Sequence, residues 1–228
     1  MARTPDQHDE EQTPAPRLRA DARRNRAQIL AAARELFADH GSGAPLEEVA
    51  QRAGVGIGTL YRHFPDRQAL MRAVAVDVLA QVAHEARLAL AAELDAFQAL
   101  ARYMHRALDL HIGAVMPALV SQIPREDAEL HQARAELTAL VQQMIDRAQA
   151  EGALRPEIVF GDIGMLIIRL SRPLPQPISR ELDARLAHRH LDLLLDGLRA
   201  AGDSAAARLP EPALSLADLQ TLSGDPAL

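Results

Sequence analysis

LEEVAQRAGVGIGTLYRHFPDRQAL, residues 46–70, is the stretch whose reading decides the fold. Leu46, Val49, Ala50 and Ala53 recur at helical spacing and predict a short helix that Gly54 ends. Pro45 stands where a first helical residue belongs. A second short helix follows over 57–64, with Leu60 and Phe64 one turn apart on its inner side. Val49, Ala53, Val55 and Leu60 lock the pair across a tight Gly-containing turn, the helix-turn-helix arrangement. With Leu60 and Phe64 turned inward, Gly58, Thr59, Tyr61, Arg62 and His63 are left outside. Those types suit DNA: Thr contacts a thymine methyl or a phosphate, Tyr and His donate to phosphate oxygens, Arg reads guanine or binds phosphate, and glycine lets the backbone come close. A lone polar trio such as Tyr61, Arg62 and His63 is by default solvated surface, and only the frame around it gives it weight. The GVGIG run is no dinucleotide loop, because no strand precedes it and no βαβ unit follows.

Upstream, Ile29, Ala33, Leu36 and Phe37 form one apolar stripe of a helix over 21–40, stopped by Gly41. Arg17, Arg19, Arg23, Arg24 and Arg26 cluster before and within it, as phosphate clamps or a minor-groove arm on one reading and as a solubilising turn on the other. Downstream, Pro65-Asp66 restarts the chain into a long helix bearing Leu70, Val74, Val78 and Val82. The charge is uneven: residues 17–72 carry 10 Arg against 6 acids, and residues 73–228 carry 14 Arg against 21 acids, within an overall −6. A modestly basic module is thus joined to an acidic body.

Composition narrows the chemistry. The 228 residues, 48% of them hydrophobic, suffice for a substantial core. There is no Cys, which excludes disulfides, thiolate catalysis and Cys-ligated metals. All 25 basic residues are Arg, so no P-loop lysine or Schiff-base lysine exists. The first residues lack the apolar run of a secretory signal, and no segment approaches roughly 18 unbroken apolar residues. A soluble, cytoplasmic, non-enzymatic protein without cofactor or membrane partner is the expectation. Only 3% of residues are aromatic and no alternating β-branched segments occur, so the expected fold is all-α, with a core of Leu, Val, Ile, Met and Ala.

Four parts are expected: a disordered arm over 1–16, the DNA-binding unit over 17–65, a helical body over 66–200, and a Pro-interrupted tail over 201–228 with a short amphipathic turn near 216–222. After the long helix, further body helices are read near 95–112, 125–151, 160–170 and 179–200, with a break over 113–124 around Pro117 as an irregular cavity wall. In GDIGMLIIRL the apolar residues cover most of the helix circumference, and the last helix bears two overlapping apolar faces. One face suits the core and the other a second copy of the chain, with Ile163, Ile167, Leu170, Leu191, Leu194, Leu195 and Leu198 as interface residues. Tyr103, Met104, Leu108, Met116, Met144, Phe160, Met165 and Arg169 are candidate linings of a small-molecule pocket, although Met and aromatic residues also fill bundle cores. His105 with Asp109, and His188 with Asp192, have the i, i+4 spacing of metal ligands, but two ligands do not make a site and no metal is expected.

The stretch over 46–70, with its LEEVAQRAGV helix and turn, its GTLYRHF helix and Arg67 opening the next, closely resembles the DNA-binding segment of the TetR family of transcriptional regulators. ARRNRAQILAAARELFADHG resembles that family's first helix, and the body is compatible with an SbtR-like C-terminal domain. The resemblance implies a homodimeric repressor that binds a palindromic site on double-stranded DNA and is released by a small-molecule effector. It places Ile57, Gly58 and Thr59 against base edges, Tyr61 and His63 on phosphates, Arg62 at either, and Arg67 on the backbone, with Arg23 and Arg24 from the basic cluster. It implies a four-helix bundle between subunits and a pocket among the middle helices whose occupation pivots the long helix. Gly56 and Pro45 depart from the family's usual Ser or Thr caps, which softens the starts of both short helices. A helical hydrolase or a scaffold without DNA binding are the competing functions; nothing arranges the His and carboxylates with a nucleophile.

Overall fold

Helical periodicity and Gly or Pro punctuation dominate the chain, and the computed structural model describes residues 15–92, 95–124, 126–174 and 178–200 as helices with short connections. Among the described residues the order is α1 (Ala15–His40), a 3₁₀ turn (Gly41–Gly43), α2 (Leu46–Arg52), α3 (Ile57–His63), α4 (Arg67–Ala92), α5 (Ala96–Asp109), α6 (Ile112–Val120), α7 (Ala128–Ala150), α8 (Phe160–Leu170) and α9 (Arg180–Leu198). The fold is all-α: a three-helix helix-turn-helix unit followed by a helical body. Most of the expected arm and the whole tail, with its amphipathic turn, lie outside the described residues.

Local chemistry sets most boundaries. Gly41, Gly54 and Gly152 take positive φ of 67°, 68° and 67° after α1, α2 and α7, a conformation glycine enters without a Cβ penalty. Asp95, Asp127 and Ser179 cap α5, α7 and α9 by accepting from backbone N–H groups in the first turn. Asp66 does the same for α4, accepting from Ala69 N at 2.7 Å. Helix α1 begins at Ala15, earlier than the apolar stripe required, because Ala and Arg are good helix formers and extend a helix already nucleated by packing. Pro45 occupies the N-cap position, with φ −64° and ψ 133°, and α2 starts one residue later than expected.

The expected break over 113–124 is corrected: α6 occupies most of it, with Pro117 inside the helix. Proline removes one i→i−4 bond and crowds the carbonyl of Gly113. A two-turn helix held by neighbours on three sides tolerates that loss, and α6 packs against α1, α4 and α8. His111 enters α6 with φ 54°, the single non-Gly residue of positive φ among those described. Gly113 is where α6 meets α8: a Cβ there would lie 2.6 Å from Ile167 O and 2.8 Å from Ile168 Cα.

Helix α4 is the centre of the described chain, packed on α7 and α5 within the body and on α1 of the other unit. Its buried face carries Leu70, Val74, Val78 and Val82, as the sequence pattern expects. Its first turns are tied to the body by polar contacts. Gln68 Nε2 donates to Gln122 O at 3.4 Å, and the Arg72 guanidinium donates to Asp127 and, at 2.8 Å, to Glu129. Arg72 holds the Asp127 carboxyl below its ordinary range. Loops 152–158 and the end of α9 are stitched by Arg155 N to Leu198 O at 3.1 Å and Ala200 N to Ala153 O at 3.0 Å.

Gly113→Ala forces backbone of α6 and α8 apart and is expected to lower stability by about 1–3 kcal/mol or more, whereas Gly164→Ala, whose Cβ meets nothing within 4 Å, leaves it unchanged or slightly raised; urea unfolding of both variants checks this. Asp127→Ala removes a cap and an ion-pair partner together and is expected to cost about 1–2 kcal/mol at neutral pH. Because the folded-state pKa of Asp127 is depressed, its contribution is complete at neutral pH and disappears on acidification. The gap between wild type and variant therefore narrows as the pH falls from about 5 toward about 3.

Candidate DNA interface and interior cavity

The helix-turn-helix is built by burying one side of each short helix. Leu46, Val49 and Ala50 of α2, and Leu60 of α3, pack with Phe64 against Ile29, Ala33, Leu36 and Phe37 of α1. Val55 N bonds to Ala50 O at 3.0 Å, which closes the turn between them. Neither Pro45 nor Gly56 supplies a side-chain cap, in keeping with the soft starts expected. At the head of α3, Thr59 N bonds to Gly56 O at 2.8 Å.

Packing Leu60 and Phe64 leaves the opposite side of α3 open. Ile57 is 38% and Tyr61 46% exposed, large apolar surface left open among the described residues. Gly58 and Arg62 are exposed, and Thr59 and His63 half-buried at the edges of the face. A Cβ on Gly58 would meet nothing within 4 Å, so the backbone there is open to close approach. The Arg62 side chain folds back along the helix, donating to Gly58 O at 3.2 Å and Thr59 Oγ1 at 3.0 Å. From α1, Arg23 and Arg24 are exposed, Arg24 paired with Asp21 at 3.0 Å, and the Arg26 guanidinium lies 5.3 Å from the Phe64 ring centroid. The Arg67 side chain is half-buried and donates to Ser42 O at 2.9 Å and Ala44 O at 2.6 Å, clamping the α1–α2 connection to the start of α4.

The body holds a cavity of about 320 Å3, open to the outside, between α4, α5, α6, α7 and α8. Of the expected pocket residues, Tyr103, Met116, Phe160 and Met165 line it. Met104, Leu108 and Met144 are buried away from it in the core, and Arg169 points outward, exposed. Ile167, read as an interface residue, lines the cavity as well. Arg134 and Thr138 of α7 line it and were missed. The signal existed, since Leu130, Arg134, Leu137, Val141 and Met144 fall on one helical stripe and only an arginine interrupts it. Five of the cavity residues, Ile112, Gly113, Met116, Pro117 and Val120, belong to α6, which also touches α1 and the 3₁₀ turn.

Of the other residues read as interface, Ile163, Leu191, Leu195 and Leu198 are buried within the single chain, Leu170 is half-buried, and Leu194 is 38% exposed. The face of α9 turned from the body instead shows Leu182, 42% exposed, and Leu193, 60% exposed. The two His–Asp pairs meet across helices rather than within them. His105 Nδ1 faces His188 Nδ1 at 2.8 Å, His105 Nε2 faces Asp192 Oδ1 at 3.0 Å, and His188 Nε2 faces Asp109 Oδ1 at 3.0 Å, joining α5 to α9.

An open, donor-bearing second helix on a three-helix unit, carried by a helical body with its own cavity, defines a helix-turn-helix transcriptional regulator. Residues 29–74 match the family model of bacterial regulatory proteins of the tetR family, and residues 95–200 that of the SbtR-like transcriptional regulator C-terminal domain. The chain is 26% identical over 205 residues to the HTH-type transcriptional regulator UidR of Escherichia coli K12, covering 80% of this chain and 93% of that one. Among solved structures it is similar to a TetR regulator from Mycobacterium vanbaalenii, at 34% identity, 80% and 99% coverage and a TM-score of 0.55. It is also similar to LfrR of Mycobacterium smegmatis, solved in complex with proflavine, at 25% identity, 75% and 96% coverage and a TM-score of 0.56. The chain belongs to the tetR family.

Tyr61→Ala is expected to weaken duplex binding without changing the melting temperature, and to leave the dependence of log affinity on log salt as it was, since a neutral phenol displaces no counterion from DNA. Arg67→Ala is expected to lower both affinity and melting temperature, since its guanidinium holds two carbonyls of the connection to α2. Anisotropy titrations across salt, paired with thermal melts, separate the two; unchanged affinity in both variants rejects these contacts.

Proposed function

We propose that the chain is a homodimeric cytoplasmic repressor that binds a palindromic DNA site and is released from it by a small molecule entering the cavity. The observation that carries this reading is the position of α6, which lines the cavity with five residues and packs on α1, on the 3₁₀ turn beside α2, and on α4. A ligand that displaces α6 therefore acts directly on the unit bearing α3 and on the helix that follows it. Two sites and a shared element are what coupling between them requires.

In this reading Ile57, Gly58 and Thr59 meet base edges, while Tyr61, His63, Arg23 and Arg24 meet phosphates. Arg62, already spanning Gly58 and Thr59 in the free protein, exchanges those internal bonds for guanine or phosphate. Arg67 contributes mainly by positioning. Two copies of α3 about one DNA turn, roughly 34 Å, apart read both halves of the site, and altering that spacing weakens binding. Leu182, Leu193 and Leu194 on α9 give the second copy an apolar surface to cover; of these only Leu194 was among the interface residues read from the sequence. LfrR, similar over most of this chain, was solved with proflavine, which supports a ligand-accepting body here.

Selecting bound duplexes from random DNA tests the reading first: symmetric half-sites about one helical turn apart are expected, and asymmetric or absent selection overturns it. Leu193→Arg is expected to give a folded monomer by sedimentation velocity and to cost about 100-fold or more in affinity for the selected site. A variant that stays dimeric with full affinity removes α9 from the interface.

A further inference from the structure

The buried stripe of α5, with Ala96, Leu100, Tyr103, Met104 and Ala107, is apolar but for one phenolic oxygen. Tyr103 is 5% exposed and lines the cavity of about 320 Å3. A buried phenol ordinarily has a hydrogen-bond partner. Among the described residues the Tyr103 hydroxyl has none, and its oxygen is not sealed into the packing either. It therefore faces open space, and the open space that Tyr103 lines is the cavity. Burial pushes the phenol pKa up, so the group keeps its proton and offers a donor. Around that donor the wall is hydrocarbon, thioether and aromatic ring, from Ile112, Met116, Pro117, Phe160, Met165 and Ile168. Thr138 of α7 adds a half-buried hydroxyl, and Arg134, also on the wall, has an interaction partner in the protein.

Resting on the reading of this cavity as the effector site, we infer that the effector is a neutral, largely hydrocarbon molecule whose carbonyl oxygen accepts a hydrogen bond from the Tyr103 hydroxyl. Its size follows from the volume: a dry cavity of about 150 Å3 accepts benzene, so about twice that suits a body of roughly ten to fifteen heavy atoms. Water entering an open cavity pairs with an unbonded hydroxyl, and an occupant that displaces it must replace that bond or leave a buried donor unpaired. A carbonyl replaces it and asks for nothing further. An alcohol brings a donor of its own that needs a second acceptor, and an ionised group exchanges its hydration for hydrocarbon. Chemical selection thus operates through one donor on an otherwise unspecific apolar wall.

The test uses the full-length protein and three probes of about eleven or twelve heavy atoms, a size the volume suggests: butyrophenone, its isostere in which a terminal methylene replaces the carbonyl oxygen, and the anion phenylbutyrate. By isothermal titration calorimetry the ketone is expected to bind about tenfold tighter than the isostere, the yield of one hydrogen bond against an unpaired hydroxyl, and the anion weakest. Infrared difference spectra of the bound ketone are expected to show its C=O stretch lowered by that bond. Tyr103→Phe is expected to bring ketone and isostere within about twofold of each other and to return the stretch to its unbonded position. Because the hydroxyl holds no described residue, that variant is expected to melt no lower than wild type; a clear fall in melting temperature assigns the phenol to an internal bond and overturns the inference. Gly164→Leu, whose side chain enters open space on the cavity wall, is expected to block all three probes. An isostere or anion that equals the ketone on the wild type, or a C=O stretch that Tyr103→Phe does not move, overturns the inference while leaving the cavity as effector site, provided Gly164→Leu still blocks binding. Binding untouched by Gly164→Leu, or no binding of any probe, overturns both.

Discussion

One continuous helix, α4, runs from the junction with the helix-turn-helix unit to the cavity wall, and that constraint organises the molecule. Three residues separate the end of α3 from the start of helix α4, whose 26 residues run into the centre of the body. A helix of that length does not bend locally without a proline, a glycine pair or an inserted group, and α4 contains neither glycine nor proline. Whatever tilts its middle therefore displaces its first turn. Polar contacts hold that first turn from both sides: Arg67 grips Ser42 O and Ala44 O of the DNA-binding unit, while Gln68 and Arg72 reach Gln122 O and Asp127 of the body. The two units are joined by hydrogen bonds at the junction and by apolar packing of α1 on α4 and α6, and neither link stretches freely.

Beside this rigid strut, α6 is short and poorly self-sufficient. It has nine residues, an internal proline and a start in a left-handed residue, so it is held by its neighbours. Such an element moves at lower cost than α4, because few of its own backbone bonds would be broken. The Gly113 contact with α8 sets a limit in one direction, since the backbones already touch. Gly113, Ile167 and Ile168 also line the cavity, and α6 is the shortest of the helices around it.

Much of this was legible in the residues. The two short helices, their turn, the inward Leu60 and Phe64 and the outward Tyr61 and Arg62 follow from apolar spacing, and α8 is bounded as its hydrophobic run implies. Three kinds of feature were not legible. Helicity across Pro117 depends on support from α1, α4 and α8, which a local reading does not contain. The division of apolar residues among core, cavity and open surface depends on helix rotation: Met104 and Met165 are the same residue type, yet one is fully buried in the core and the other on the cavity wall. The same uncertainty moved the outward face of α9 from Leu191 and Leu195 to Leu182 and Leu193. Finally, i, i+4 spacing identified His105, Asp109, His188 and Asp192 but paired them along each helix, where the antiparallel approach of α5 and α9 pairs them crosswise.

The DNA-facing end gains its accuracy from this dependence on tertiary packing. Helices of seven residues without side-chain caps have almost no stability of their own, because nucleation costs more than two turns of hydrogen bonds return. Their positions are set by the fully buried Ile29, Phe37, Val49 and Leu60 and by the clamp of Arg67, so the geometry of the recognition face is inherited from α1 and α4. A better capped α3 would fix its own shape yet would still be carried by the same neighbours. With or without caps, the position of the face is set by these neighbours, which leave Ile57 and Tyr61 open on its outer side.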